Sequence, residues 1–156
     1  MPRASYQVLV IPYHLAAGTA EFCVFRRSDR DIWQFIAGGG ETGDESILAS
    51  AKREAYEEAG IGGDRPYTPL DSQCSIPACH FRDAEKLWGI DCLVIPEYSF
   101  AVEVGDVVLT LSHEHTEYEW ADYGTAMARL RYDSNRTALW ELKRRIELGL
   151  LKAPKA

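Results

Sequence analysis

Glu54, Glu57 and Glu58 stand in one short stretch, directly after Arg53 and just before Gly60-Ile61. If the stretch is helical, at about 100° per residue, Glu54 and Glu58 fall one turn apart and Glu57 lies about 60° to one side of Glu54. Three carboxylates then crowd one flank. Like charges at this spacing repel, and Lys52 and Arg53 are expected to point largely elsewhere. On the glutamates alone, a solvated acidic face is the simpler reading. The alternative is a hard-cation site, with oxygen ligands on a rigid element suiting Mg²⁺ or Mn²⁺. The full spacing favours the cation: Gly39, Glu45 six positions on, then Arg53-Glu54, Glu57-Glu58 and Gly60-Ile61. Gly39 and Gly40 would supply backbone groups to a bound phosphate, and cations there would neutralise its oxygens and acidify an attacking water.

Such a site needs a helix to carry it. Thr42 followed three residues later by Glu45 forms a capping box, which predicts a start near Gly43 or Asp44. Gly60 stops the helix. Leu48, Ala51, Ala55 and Ala59 recur at helical spacing and make a narrow apolar stripe for packing.

The run from Gly39 to Ile61 resembles the signature of the Nudix hydrolases, and it meets every fixed position of that pattern, with Ala55 small where a larger aliphatic is common. The resemblance implies an α/β/α sandwich around a mixed β-sheet. It also implies Mg²⁺ held chiefly by Glu54, Glu57 and Glu58, and water attack on a bridging phosphate. In that family the position of Glu45 is structural, pairing with the arginine at Arg53. Ala37 stands where most members have proline, a departure that touches loop stiffness and not ligand identity.

Residues 5–13 read as a first, central strand, Ala20–Arg27 as a second and Asp31–Ala37 as a short third. Of the two arginines at the second strand's end, Arg27 is a candidate for the substrate phosphates, because a guanidinium fork suits phosphate oxygens. Trp33 reads as core packing. Residues 70–81 are a weaker strand and Asp83–Lys86 a turn. Leu87–Ile95 predicts an inner strand ended by Pro96, followed by a loop over Glu97–Asp106 with Tyr98 and Phe100 as candidate pocket walls. Val107–Ser112 and Thr116–Trp120 read as strands flanking His113-Glu114-His115. That trio is not HExxH, and a polar loop is its plain reading. The sharper one gives Glu114, ahead of Glu117, the part of a further metal ligand or general base, with His113 and His115 around it or at the surface. Asp122–Leu130 and Ser134–Leu150 read as helices, the second capped by Asp133 or Ser134 and packed through Leu139, Leu142, Ile146 and Leu150. Lys152–Ala156 should fray.

A chain of 156 residues predicts one domain, residues 1–156, with its own core. Apolar residues at 46% and charged ones at 26% place it among ordinary globular proteins. A formal charge of −7 excludes a duplex nucleic-acid binder, which needs a basic patch. It does not exclude nucleotides, since bound metal reverses the local sign. Cys74, Cys79 and His80 lack zinc spacing and a fourth ligand, so the four cysteines read as reduced thiols. No apolar run reaches membrane-spanning length, which predicts a cytoplasmic protein. The oligomeric state is left open, a homodimer being one option.

A narrower likeness runs through Arg26-Arg27-Ser28-Asp29, Trp33-Gln34, Glu114-His115, Tyr118, Trp120 and Ser134-Asn135-Arg136. This series is similar to the dihydroneopterin triphosphate pyrophosphatase branch of the Nudix hydrolases, also called dATP pyrophosphohydrolases. It implies pyrophosphate release from a nucleoside or pterin triphosphate, with Glu114 as that branch's extra acidic residue. The alternatives are a dinucleoside polyphosphate or nucleotide-sugar hydrolase, or a non-catalytic nucleotide-sensing module; the intact glutamate set disfavours the last.

Overall fold

The computed structural model describes residues 2–105 and 107–151; the expectation for Lys152–Ala156 falls outside them. Its scaffold is one mixed sheet of seven strands. β1 (Arg3–Ala16) runs through the middle. Its first half pairs antiparallel with β4 (Ile36–Glu41) and its last residues with β2 (Thr19–Arg27). β2 also carries β3 (Trp33–Gln34) and β7 (His115–Ala121). On its other side β1 pairs with β6 (Val94–Glu103), in parallel, and β6 carries β5 (Tyr67–Pro77).

Apolar residues alternate along β1 to both faces, as a strand buried on both sides demands. Val8 and Val10 face α1 (Ile47–Ala59), meeting Ala51, Ala55 and Ala59. Leu9 and Ile11 face α3 (Tyr123–Arg129) and α4 (Asp133–Leu148), meeting Ala126, Ala138, Leu139 and Leu142. The result is the expected α/β/α sandwich. The alanine stripe matters for position: with no bulk between them, α1 lies close on the sheet and its glutamates come near the glycines of β4.

The middle of the chain departs from the sequence reading. Leu87 and Trp88 belong to a five-residue helix, α2 (Ala84–Trp88), and Ile90 and Leu93 are exposed. The inner strand is instead β6, over the segment expected to loop across the pocket. Pro96 lies inside it, paired with Ser75. The β1–β6 register starts at Gln7 and Glu97, so the missing N–H of Pro96 costs no rung with β1. Tyr98 and Phe100 pack into the α1-side core rather than walling a pocket.

Residues 107–112 form no strand. They cap the end of α1: Thr110 N donates to Ala59 O at 3.0 Å and Ser112 N to Glu58 O at 3.2 Å, taking carbonyls that the helix leaves unpaired. At the other end of the chain, α4 begins without a side-chain cap, although Asp133 or Ser134 is expected to supply one. It stops at Gly149, which takes a left-handed φ of 68° and turns Leu150 off the expected stripe.

Candidate active site

α1 starts four residues later than the capping box predicts. Ser46 is the N-cap, its hydroxyl accepting from Ala49 N at 3.0 Å, and Thr42 plays no part. The later start puts Asp44 in the turn before the helix, where it takes the role the sequence assigns to Glu45. Arg53 Nη2 donates to Asp44 Oδ2 at 3.0 Å and to the Gly39 carbonyl at 2.8 Å, while Glu45 is exposed. Asp44 Oδ2 also accepts from Ser50 Oγ and from Glu41 N. The hydrogen bonds of Arg53 hold the Asp44 carboxyl down at about 2.

Arg53 does not point away from the glutamates. Its Nη1 lies 2.9 Å from Glu54 Oε1, 3.3 Å from Glu57 Oε2 and 3.2 Å from Glu41 Oε2. One guanidinium thus ties the glycine strand, the turn and two carboxylates of α1 together. Lys52 does turn elsewhere, its ammonium 5.6 Å from the centre of the Tyr67 ring.

The three glutamates are not equivalent. Glu57 is half exposed, whereas Glu54 and Glu58 are buried. Glu54 sits under β4, where a Cβ on Gly38 would come within 2.1 Å of its carboxyl carbon. Only glycine at position 38 leaves that space. Burial pushes the Glu54 carboxyl up to about 7, against the pull of Arg53.

Glu58 faces the turn before β7. Burial works against its charge, but the His115 ring, the Ser112 hydroxyl at 2.8 Å and Glu114 outweigh it, and its carboxyl stays below the usual range. Glu114 moves the opposite way, raised by burial and by Glu58. Burial and the nearness of Glu58 together favour the protonated form of the Glu114 carboxyl. His115 is buried behind the pair, its Nδ1 3.4 Å from Glu58 Oε2, within reach of charge attraction but outside good hydrogen-bond geometry. Glu117 pairs with Arg26 along the strands, away from this cluster.

Of these groups Glu54 and Glu114 line a cleft of about 710 Å³, together with Gly39 and Arg27, whereas Glu57 and Glu58 are not among its lining residues. Arg27 grips Asp29 in a two-pronged pair at 2.8 and 2.7 Å. Gly39 lies beneath the Arg3 guanidinium, and Gly40 is buried under the Tyr6 ring, off the cleft wall. Asn135, on α4, braces the opposite wall by accepting from Phe35 N at 2.9 Å. Arg3, Gln7 and Glu97 also line the cleft, and nothing in the sequence marked them, because their shared wall forms only when β4, β1 and β6 lie side by side.

Among the described residues no three acidic, histidine or cysteine side chains already converge as a ligand cluster. The donor set still fits a hard cation. Glu54 and Glu58 are buried carboxylates, Glu114 is raised by burial and the nearness of Glu58, and Gly38 leaves room for the Glu54 carboxyl at the cleft.

A family model for the NUDIX domain matches residues 7–140. Nudix hydrolase 13, mitochondrial, of Arabidopsis thaliana is 31% identical over 110 residues, 68% of this chain and 52% of that protein, so the chain spans about half its length. A crystal structure assigned as a NUDIX hydrolase of Listeria monocytogenes superposes with a TM-score of 0.86 at 41% identity, covering 97% of this chain and 100% of that one. The E. coli dihydroneopterin triphosphate pyrophosphohydrolase shares the fold at 21% identity and a TM-score of 0.71, over 92% of this chain and 99% of its own. Since the family model spans most of the sequence, this chain belongs to the NUDIX family.

Proposed function

We propose that residues 1–156 act as one Mg²⁺-dependent NUDIX pyrophosphohydrolase of the cytoplasm, cleaving a nucleoside or pterin triphosphate to a monophosphate and pyrophosphate. Mn²⁺ is able to substitute. The observation that carries the reading is that the turn before β7 brings Glu114 to the cleft while Ser112 Oγ, in the same turn, accepts from Glu114 N at 3.2 Å and donates to Glu58 Oε2 of α1 at 2.8 Å. Two carboxylates brought together from distant parts of the chain are costly unless something positive is to sit between them.

Glu54, Glu57, Glu58 and Glu114 are the residues that would hold the metal. When bound, a divalent cation neutralises phosphate oxygens and makes water a usable nucleophile near neutral pH. The chain's own groups do the rest. Arg53 fixes α1 against the carbonyl of Gly39, so the ligand carboxylates keep their spacing to the glycine strand. Glu114 takes the proton of the attacking water as its oxygen bonds to phosphorus and the bridging P–O bond breaks, the pyrophosphate leaving with that bond's electrons. Arg27, once its fork is released from Asp29, is placed to hold phosphate oxygens at the cleft wall.

The test is pyrophosphate release from a panel of triphosphates with Mg²⁺, using wild type, Glu57→Gln and Glu58→Gln. Turnover should fall at least about a hundredfold in both variants while the circular dichroism spectrum is kept. Unchanged kinetics in both would overturn the ligand assignment. Faster cleavage of a dinucleoside polyphosphate into two mononucleotides in a parallel assay would instead indicate that substrate class, and no turnover at all a sensing module.

A further inference from the structure

The cleft that holds Glu54 and Glu114 is also lined by a charge that the hydrolytic chemistry leaves unused. Glu97, in β6, lines the cleft yet is only 4% exposed. Its Oε2 accepts from Gln7 Nε2 at 2.7 Å and its Oε1 from Cys74 Sγ at 3.5 Å. Both partners are neutral, so the carboxylate is buried on two uncharged donors, an expensive arrangement for a group with only a scaffolding task. A carboxylate oxygen has two acceptor positions, and each oxygen here has one still open. Two parallel acceptors at fixed spacing fit two parallel N–H donors.

A second group on the same wall is also short of a partner. Arg3 Nη1 is buried with no hydrogen-bond partner among the described residues. Its guanidinium covers Gly39, which stands opposite Gln7 in the β1–β4 register, as Gln7 stands opposite Glu97 in β1–β6. Donor and acceptors therefore lie side by side across three strands. Phe81 also lines the cleft, its ring held 5.0 Å from the Arg3 guanidinium carbon, which fixes that guanidinium on the wall.

We infer that Glu97 determines specificity, selecting a ring with a 2-amino-4-oxopyrimidine edge, the edge shared by guanine and the pterins; this rests on the cleft being the hydrolytic one proposed above. That edge presents a ring N–H and an adjacent amino group to the two free acceptor positions, with its carbonyl oxygen beside them for Arg3. Adenine and cytosine present a ring-nitrogen lone pair next to their amino group, which would face a carboxylate oxygen. Uracil offers one N–H between two carbonyls.

The experiment is calorimetric binding of GMP, neopterin monophosphate, AMP and UMP to the full chain, wild type and Glu97→Gln. Monophosphates need no turnover, so the readout is independent of hydrolysis. GMP, neopterin monophosphate or both should bind at least about tenfold tighter than AMP, and the ratio should fall towards one in Glu97→Gln, whose amide offers one acceptor and one donor. The guanine and pterin arms tell the two sources apart. Should Glu97→Gln fail to fold, Glu97→Asp, which keeps the charge but withdraws it by one methylene, should lose the same preference. Equal binding of all four, or a preference that survives the substitution, overturns the assignment. If the triphosphate panel shows no turnover while the preference stands, the hydrolytic reading fails and the recognition site remains; turnover without any base preference fails in the reverse sense.

Discussion

At the scale of single residues, the acidic centre turns on Arg53. Removing it would leave Asp44, Glu54 and Glu57 without their shared cation and free the Gly39 carbonyl. Arg53→Ala should therefore cost about 3 kcal/mol or more in denaturant titrations, well beyond an exposed ion pair. Asp44 gives a pH signature. Its folded value of about 2 lies below the ordinary 3.8, so its stabilisation is present above about pH 4 and fades as the pH falls towards 2. Asp44→Asn should be less stable than wild type by on the order of 1–2 kcal/mol at pH 6, and the two should converge near pH 2. Glu54 has the opposite sign. Its folded value is raised to about 7 from 4.5, so in chelator the group weakens the fold progressively as the pH climbs from the lower figure to the higher. Glu54→Gln should raise the metal-free melting temperature at pH 8 while removing turnover, the pattern of a residue kept for function at a cost to the fold.

At the scale of elements, the start of α1 gives a direct comparison. Ser46→Ala should cost about 1 kcal/mol, whereas Thr42→Ala should be near neutral, as judged by chemical denaturation. Gly38→Ala should disturb Glu54 directly, lowering activity more than stability, because its Cβ would occupy the space of that carboxylate. Why the sequence showed some of this and not the rest has a physical answer. α1 was legible because its carboxylates, alanines and terminal Gly60 are spaced by the helix itself. Its cap was misplaced because Thr42 and Ser46 both suit a cap, and only the tertiary bonds of Asp44 decide between them. Leu87–Ile95 misled because a short apolar run does not disclose whether it is buried, and Ile90 and Leu93 are not. β6 was hidden by Pro96, whose register position makes it harmless. At the site, the charge and setting of Glu114 anticipated its position on the cleft, but Glu97, Gln7 and Arg3 reach the same wall only through strand pairing across the chain.

At the scale of the whole molecule, the proposed function asks a protein carrying a net −7 to bind a polyanion. With Arg27 occupied by Asp29 and Arg53 by carboxylates, Arg3 is the one guanidinium lining the cleft with no carboxylate partner among the described residues. Chelating divalent ions should weaken binding of a triphosphate at least about tenfold, measurable by calorimetry with a non-hydrolysable analogue, and much more than binding of the uncharged nucleoside. The described residues include no helix long and apolar enough to cross a membrane. The parallel pairing of β1 with β6 has a kinetic consequence. Gln7 and Glu97 are 90 positions apart, so the wall they share must wait for a large loop to close. Refolding followed by a fluorescent nucleotide should lag behind recovery of helical signal, because the chain's earliest and middle segments must meet before there is anywhere for a ring to lodge.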